Sequence, residues 1–206
     1  VDRLPRVGIR SGVESLGRQR IELERQSGDP RFSEYRENVR WAYGAVLFVG
    51  LNLPGSNNNL GRTPEMDAEH RRRMAAVFDW LDASMRRAAR GGSAGVVIFF
   101  HAAPGFDGKV HGRHGAPDGY LELRNTLLTQ VQRFPRPILL AHGDEHRFRD
   151  DHPLRDPATG RPLANFTRVE VPGSPAPAPV VVDVDTATPQ VFTVHPPQSL
   201  TDSGAR

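Results

Sequence analysis

Three short apolar runs, separated by two stretches of helical periodicity, constrain the fold of this chain more than any other feature. Residues 45–51 (Ala-Val-Leu-Phe-Val-Gly-Leu), 95–100 (Gly-Val-Val-Ile-Phe-Phe) and 137–141 (Pro-Ile-Leu-Leu-Ala) are of strand length. None shows a polar alternation, which is the pattern of strands buried on both faces. After the first run, Thr63-Pro64-Glu65 opens a helix with an N-cap residue, a proline at the first helical position and an acid in the first turn. Met74, Val77, Phe78, Leu81, Met85 and Ala88 then recur at helical spacing until Gly91-Gly92 stops the pattern. After the second run, residues 119–134 read as another helix, with Leu123, Leu127, Val131 and Phe134 on one face. Strand, helix, strand, helix, strand is the alternation of an α/β sheet.

The rhythm changes after residue 160. Residues 166–171, 180–185 and 190–194 read as strands with no helix between them, and they alternate apolar with polar. That is the pattern of antiparallel strands with one wet face. The expected fold class is therefore α/β: a mixed sheet, two main helices and C-terminal antiparallel strands. With 206 residues the chain has the size of one domain. Residues 1–40 form a polar, arginine-rich and partly irregular arm, residues 41–196 the α/β domain, and residues 197–206 a flexible tail.

Composition removes several function classes. Cysteine is absent, which excludes disulfides, thiol catalysis, zinc–thiolate sites and iron–sulfur sites. The pI near 9.9 suggests a nucleic-acid binder, but the formal charge is only +3, and of 27 basic residues only Lys109 is not arginine. Arginine holds its proton to very high pH, so a small excess raises the pI without implying a basic stripe. The one dense run, Arg71-Arg72-Arg73, lies beside Glu65, Asp67, Glu69 and Asp79 and reads as a solvated helix face. Mixed charge and 7% aromatic residues argue against nucleic acid. The longest apolar run, about six residues, is far short of the roughly 20 a membrane helix needs. The visible N-terminus has no apolar export segment, which implies a cytoplasmic protein unless an upstream signal makes it periplasmic or secreted. There is no P-loop, no dinucleotide-binding glycine fingerprint and no Gly-x-Ser-x-Gly elbow.

Ligands of α/β sheets gather beyond the carboxyl ends of the strands. The first run ends in Asn52, the second in His101, and the third in His142-Gly143-Asp144-Glu145-His146. Imidazole nitrogen with carboxylate oxygen is a ligand set for zinc, manganese or iron, and such ions lower the pKa of bound water. His101, His142, Asp144 and His146 are thus the candidate metal ligands, and Asn52 a candidate substrate contact. The Asn57-Asn58-Asn59 run reads as turn and cap residues. His111 and His114, in a glycine-rich loop, read as exposed side chains. His70 belongs to the arginine-rich helix, and His152 and His195 to a loop and a strand end.

Several of these segments resemble a known family. Glu37-Asn38-Val39-Arg40-Trp41, then Val46-Leu47-Phe48 and Leu51-Asn52-Leu53-Pro54-Gly55-Ser56-Asn57-Asn58-Asn59, resemble bacterial calcineurin-like metallophosphoesterases. So does Arg136-Pro137-Ile138-Leu139-Leu140-Ala141-His142-Gly143-Asp144-Glu145-His146, followed by Asn165-Phe166-Thr167-Arg168-Val169-Glu170. The likeness runs over residues 14–196. It implies an α/β sandwich around a two-metal centre that hydrolyses phosphate esters. His101 stands where that family has a lone histidine after a strand. His146 matches the second histidine of its Gly-His-x-His segment, and Asp144 or the neighbouring His142 takes the place of the first. Asn52 and the asparagine run would line the substrate site.

The family's three earlier motifs (Asp-x-His, Gly-Asp-x-x-Asp and Gly-Asn-His-Asp/Glu) have no counterpart upstream of Trp41. The resemblance is therefore to a C-terminal half, and Val1 fits a processed, truncated or mis-started chain. It implies a metal-dependent phosphoester hydrolase or a truncated form of one. The alternative is a catalytically inactive remnant or binding module that keeps the fold without a complete dinuclear centre. The implied cofactor is a divalent metal (manganese, iron or zinc), as one ion or none in this chain, because bridging carboxylates are missing. The implied partner is a phosphoester, with no nucleic acid and no membrane. A half sandwich would also expose an apolar sheet face that invites self-association.

Overall fold

The computed structural model describes residues 15, 18, 20–108 and 115–197. The start of the arm, His111 and His114, and the tail beyond residue 197 lie outside the described residues.

Seven strands form one mixed sheet. They are β1 (Glu24–Arg25), β2 (Val39–Tyr43), β3 (Val46–Gly50), β4 (Gly95–Phe99), β5 (Ile138–His142), β6 (Arg149–Asp151) and β7 (Phe166–Glu170). Their spatial order is β1-β2-β3-β4-β5-β7-β6. β3, β4, β5 and β7 run parallel to one another, with antiparallel strands on both sides. Helices α1 (Pro64–Arg90) and α2 (Leu121–Arg133) connect β3 to β4 and β4 to β5. A separate antiparallel hairpin, β8 (Val181–Asp185) and β9 (Val191–His195), closes the chain.

Strand periodicity distributes the core. Val49, Ile98, Leu140 and Phe166 point to one face and meet Val77, Leu81, Leu123 and Leu127 of the two helices. Val46, Val97, Leu139 and Val169 point to the other face and meet Val191 and Phe192 of the hairpin. The result is an α/β sandwich: helices, seven-stranded sheet, and a hairpin over part of the outer face. No helix among the described residues is long and apolar enough to cross a membrane.

Both helices lie where periodicity places them. Thr63 caps α1 by accepting from the Met66 N–H at 3.2 Å, Pro64 takes the first position, and Gly91 follows the last. In three places the structure departs from the sequence reading. The segment from 166 does not group with the hairpin strands but is β7 of the large sheet, parallel to β5 and antiparallel to the short β6. Asn165 sets this: its amide donates to the carbonyls of Val131 and Phe134 at the end of α2, and its own carbonyl accepts from Ile138 N–H at 2.8 Å. The start of β7 is thereby pinned beside the start of β5. Second, β2 was not evident, because Arg40 interrupts its apolar residues. Arg40 turns to the helix face, where its guanidinium lies 4.2 Å from the centroid of the Trp80 ring. Third, Arg73 is not on a solvated face. Arg71 and Arg72 are exposed, but Arg73 is buried beneath the asparagine loop.

Candidate functional site

The ends of β3, β4 and β5 are tied together by backbone hydrogen bonds. Ala102 N–H donates to Leu53 O at 3.1 Å, and Gly143 N–H donates to His101 O at 3.1 Å. The loops that leave these strands therefore form one rim, at the carboxyl ends of parallel strands. On it, His101 Nε2 lies 3.5 Å from Asp144 Oδ1. The other carboxylate oxygen, Oδ2, accepts from Ala103 N–H at 3.4 Å. Asp144 and His146 both adopt left-handed backbone angles, with φ of 83° and 60°. Such angles are costly for residues with a Cβ and persist where the surroundings enforce them.

Gly55 provides the seat for Asp144. A Cβ on Gly55 would stand 2.6 Å from Asp144 Oδ2. Its φ of −65° suits any residue, so the requirement for glycine is one of space alone. Gly55→Ala is accordingly expected to fold with nearly unchanged stability while the Asp144 carboxylate swings away from His101. Urea denaturation should show a preserved midpoint, and manganese titration a weakened affinity; an unchanged manganese affinity would contradict this seat.

The four predicted metal ligands do not converge. Asp144 and His101 meet, whereas His142 and His146 are held elsewhere. His142, last in β5, turns to the helix face and stacks on Phe100 with ring centroids 6.0 Å apart. Its Nδ1 lies 3.1 Å from Gly143 O, and its Nε2 is buried without a hydrogen-bond partner. Burial pushes its pKa down to about 4, so the ring is neutral at pH 7. His146 is exposed, with Nδ1 2.9 Å from Ser174 O and its ring against Gly173. Among the described residues no group of three or more His, Cys, Asp or Glu side chains is placed to share an ion. Two side-chain donors, His101 and Asp144, meet at the rim, one short of the three protein ligands usual in a catalytic metal site.

No family model, curated protein or solved structure matches the chain. The site must be read from its own geometry.

Asn52 follows β3 at the edge of this rim. Its N–H donates to Asn38 Oδ1 at 2.7 Å and its carbonyl accepts from Arg73 at 3.4 Å. Beyond it, Ser56, Asn57, Asn58 and Asn59 all have φ between 55° and 67°, a full left-handed turn. L-residues rarely enter this region in succession, and asparagine tolerates it best. Buried partners hold the turn. Arg73 donates to Asn58 Oδ1 at 2.5 Å and to Asn58 O at 3.0 Å, and its Nε donates to Glu69 Oε1 at 2.6 Å. Tyr120 donates to Pro54 O at 2.7 Å and accepts from Asn58 N–H at 3.0 Å. Burial raises the Tyr120 pKa, which keeps the hydroxyl a donor at all ordinary pH. Asn57 and Asn58 are buried, so the turn is scaffolding rather than site lining.

From the rim a wide trough, about 1140 Å³, runs over the outer face of the sheet. Trp41, Phe48 and Phe99 lie in it as parallel-stacked rings, with neighbouring centroids 5.2 and 6.3 Å apart. His101 and Asn52 stand at its end on the rim. Sequence reading reached His101, Asp144 and Asn52 as strand-end residues. It missed Gly55, whose role is a close approach that no motif signals, and Tyr120, which reads as an ordinary core aromatic.

Glu170 was also unforeseen. It pairs in register with His142 across β5 and β7 and is wholly buried. Arg149 Nε lies 3.3 Å from its Oε2 but outside hydrogen-bond geometry, and neither oxygen has a hydrogen-bond partner. Burial, aided by the negative charge of Glu145, pushes its pKa up to about 7.

Proposed function

We propose that the chain is a metal-dependent phosphoester hydrolase or the C-terminal half of one, in a metallophosphoesterase-like sandwich. The observation that carries this reading is the His101–Asp144 pair, 3.5 Å apart at the carboxyl ends of adjacent parallel strands. A divalent ion there would supply Lewis acidity toward a phosphoryl oxygen and a lowered pKa for bound water. His101 and Asp144 would hold it, and Gly55 and Ala103 N–H orient the carboxylate. Asn52 would face the ester from the rim. The resemblance of His101 to the family's lone histidine after a strand supports the same assignment.

A second reading, a binding module that keeps the fold without catalysis, is favoured by the seating of His142 in the core and His146 on Ser174. Metal stoichiometry and turnover separate the two. The chain, stripped and reloaded with manganese, is expected to hold about one ion and to hydrolyse an aryl phosphate slowly. Asp144→Asn should weaken manganese binding by more than about tenfold, a loss that outer-shell partners alone can reach. A chain that binds no ion, or an Asp144→Asn variant that binds like the parent, would refute the hydrolase assignment. One ion without turnover would leave the binding-module reading.

A further inference from the structure

We infer that the trough on the outer face takes the alkyl chain of a single-chain amphiphile, free in solution as a monomer, whose phosphate head lies at His101. The head-group half of this inference rests on the proposed hydrolase reading; the chain half does not.

Three observations specify the occupant. The first is shape. The arm walls one side of the trough with Ile21 and Leu23, and the hairpin walls the other with Val180, Val182 and Val184. A slender body fits between such walls better than a second globular surface. At about 1140 Å³ the trough also exceeds the roughly 300–1,000 Å³ of compact small-molecule pockets, which suits an extended ligand.

The second is the chemistry of the floor. It is the face of β2, β3, β4, β5 and β7, and each of these strands is hydrogen-bonded to a neighbour on both sides. Across β3, β4 and β5 their N–H and C=O groups are spent within the sheet, and only residues 41–43 of β2 extend past the two-residue β1. A peptide lying on this floor would bury backbone polar groups against carbon, at a cost that an alkyl chain does not incur. Burial of the chain against Phe48, Phe99 and the valines is favourable throughout.

The third is polarity. The metal-competent pair and Asn52 stand at the rim end. Two further charged residues, Arg25 and Glu37, border the trough on the arm side, where Arg25 donates to Arg36 O at 2.9 Å. The floor between is aromatic and aliphatic, with the Trp41 indole N–H its one side-chain polar group. An apolar body with one anionic head matches this distribution.

The test is calorimetric titration of the full chain with butyl, hexyl, octyl and decyl phosphate, each below its micelle concentration, with and without manganese. Affinity is expected to rise about two- to fourfold per methylene, with a negative heat-capacity change. Val184→Gln combined with Val171→Gln should flatten this slope. Both side chains line the trough and are 46% and 38% exposed, so the variant should fold. Asp144→Asn should weaken every member of the series by one factor and leave the slope intact.

A slope of zero, or one untouched by the valine changes, overturns the trough assignment and leaves the metal reading standing. A normal slope with no effect of manganese or Asp144→Asn supports the chain site while removing the head-group site and the hydrolase reading. If the protein sediments as a dimer that decyl phosphate neither binds nor dissociates, the trough belongs to a second copy and the inference is wrong.

Discussion

Glu170→Gln is expected to convert a nearly flat dependence of stability on pH, between pH 4.5 and 6.5, into one that rises with pH. Two buried groups on neighbouring strands act in opposite senses. Glu170 has a folded pKa of about 7 against 4.5 in the unfolded chain. Between those values the folded state holds a proton that the unfolded state has released, so stability falls as pH rises. His142 has a folded pKa of about 4 against 6.5. Between those values the unfolded state holds the extra proton, so stability rises with pH.

Each contribution amounts to about 3 kcal/mol over its window, and the windows overlap. Glutamine at 170 removes only the falling one. Glu170→Gln should also exceed the parent in stability at pH 8, because Arg149 keeps its bond to Glu145 at 2.6 Å. His142→Gln is the mirror case and should lose stability as pH rises from 4.5 to 7. Urea denaturation at four pH values measures all three slopes. If the parent already rises steeply and Glu170→Gln matches it, Glu170 is ionised in the fold and this account fails.

Arg73→Leu should be the most damaging single change, costing about 2–4 kcal/mol. The side chain is 3% exposed and its fork reaches the Asn58 side chain, the Asn58 carbonyl and Glu69 together. Leucine would leave the Asn58 side-chain oxygen buried without its charged donor. It would also remove the clamp on a left-handed turn that costs roughly 1–2 kcal/mol per residue with a Cβ, and less for asparagine. Arg73→Lys should rescue little, because a single ammonium cannot span the three acceptors. The readout is the urea midpoint, with a circular-dichroism check that the helices survive; a loss below about 1 kcal/mol would place the turn's stability elsewhere.

The helices and the buried parallel strands were legible because their patterns are local. The N-cap and proline at residues 63–64 and the apolar spacing through Ala88 need no tertiary context. The two-sided apolar runs of β3, β4 and β5 likewise announce their burial. What stayed hidden depends on partners distant in sequence. Arg73 reads as one of three solvated arginines until Asn58 is folded over it. β7 reads as a neighbour of the hairpin strands until Asn165 anchors its start beside α2. β2 is obscured by Arg40, which needs the Trp80 ring to make sense of it. At the site, strand-end position was enough to find His101 and Asp144. Nothing in the spacing of residues 142–146 distinguishes Asp144, which faces the rim, from His142, which packs into the core. That choice depends on the left-handed angle at Asp144 and on the space left by Gly55.

The outermost strands of the large sheet are its two shortest. β1 is Glu24–Arg25 and β6 is Arg149-Asp150-Asp151, so both borders are brief and wholly charged. A fibril grows by adding strands to an open border, and these borders offer little template and a charge penalty for each addition. The broad apolar surface of this protein, the trough, lies instead on a face. Any association through it would end once two faces were covered, giving a discrete pair rather than a growing polymer.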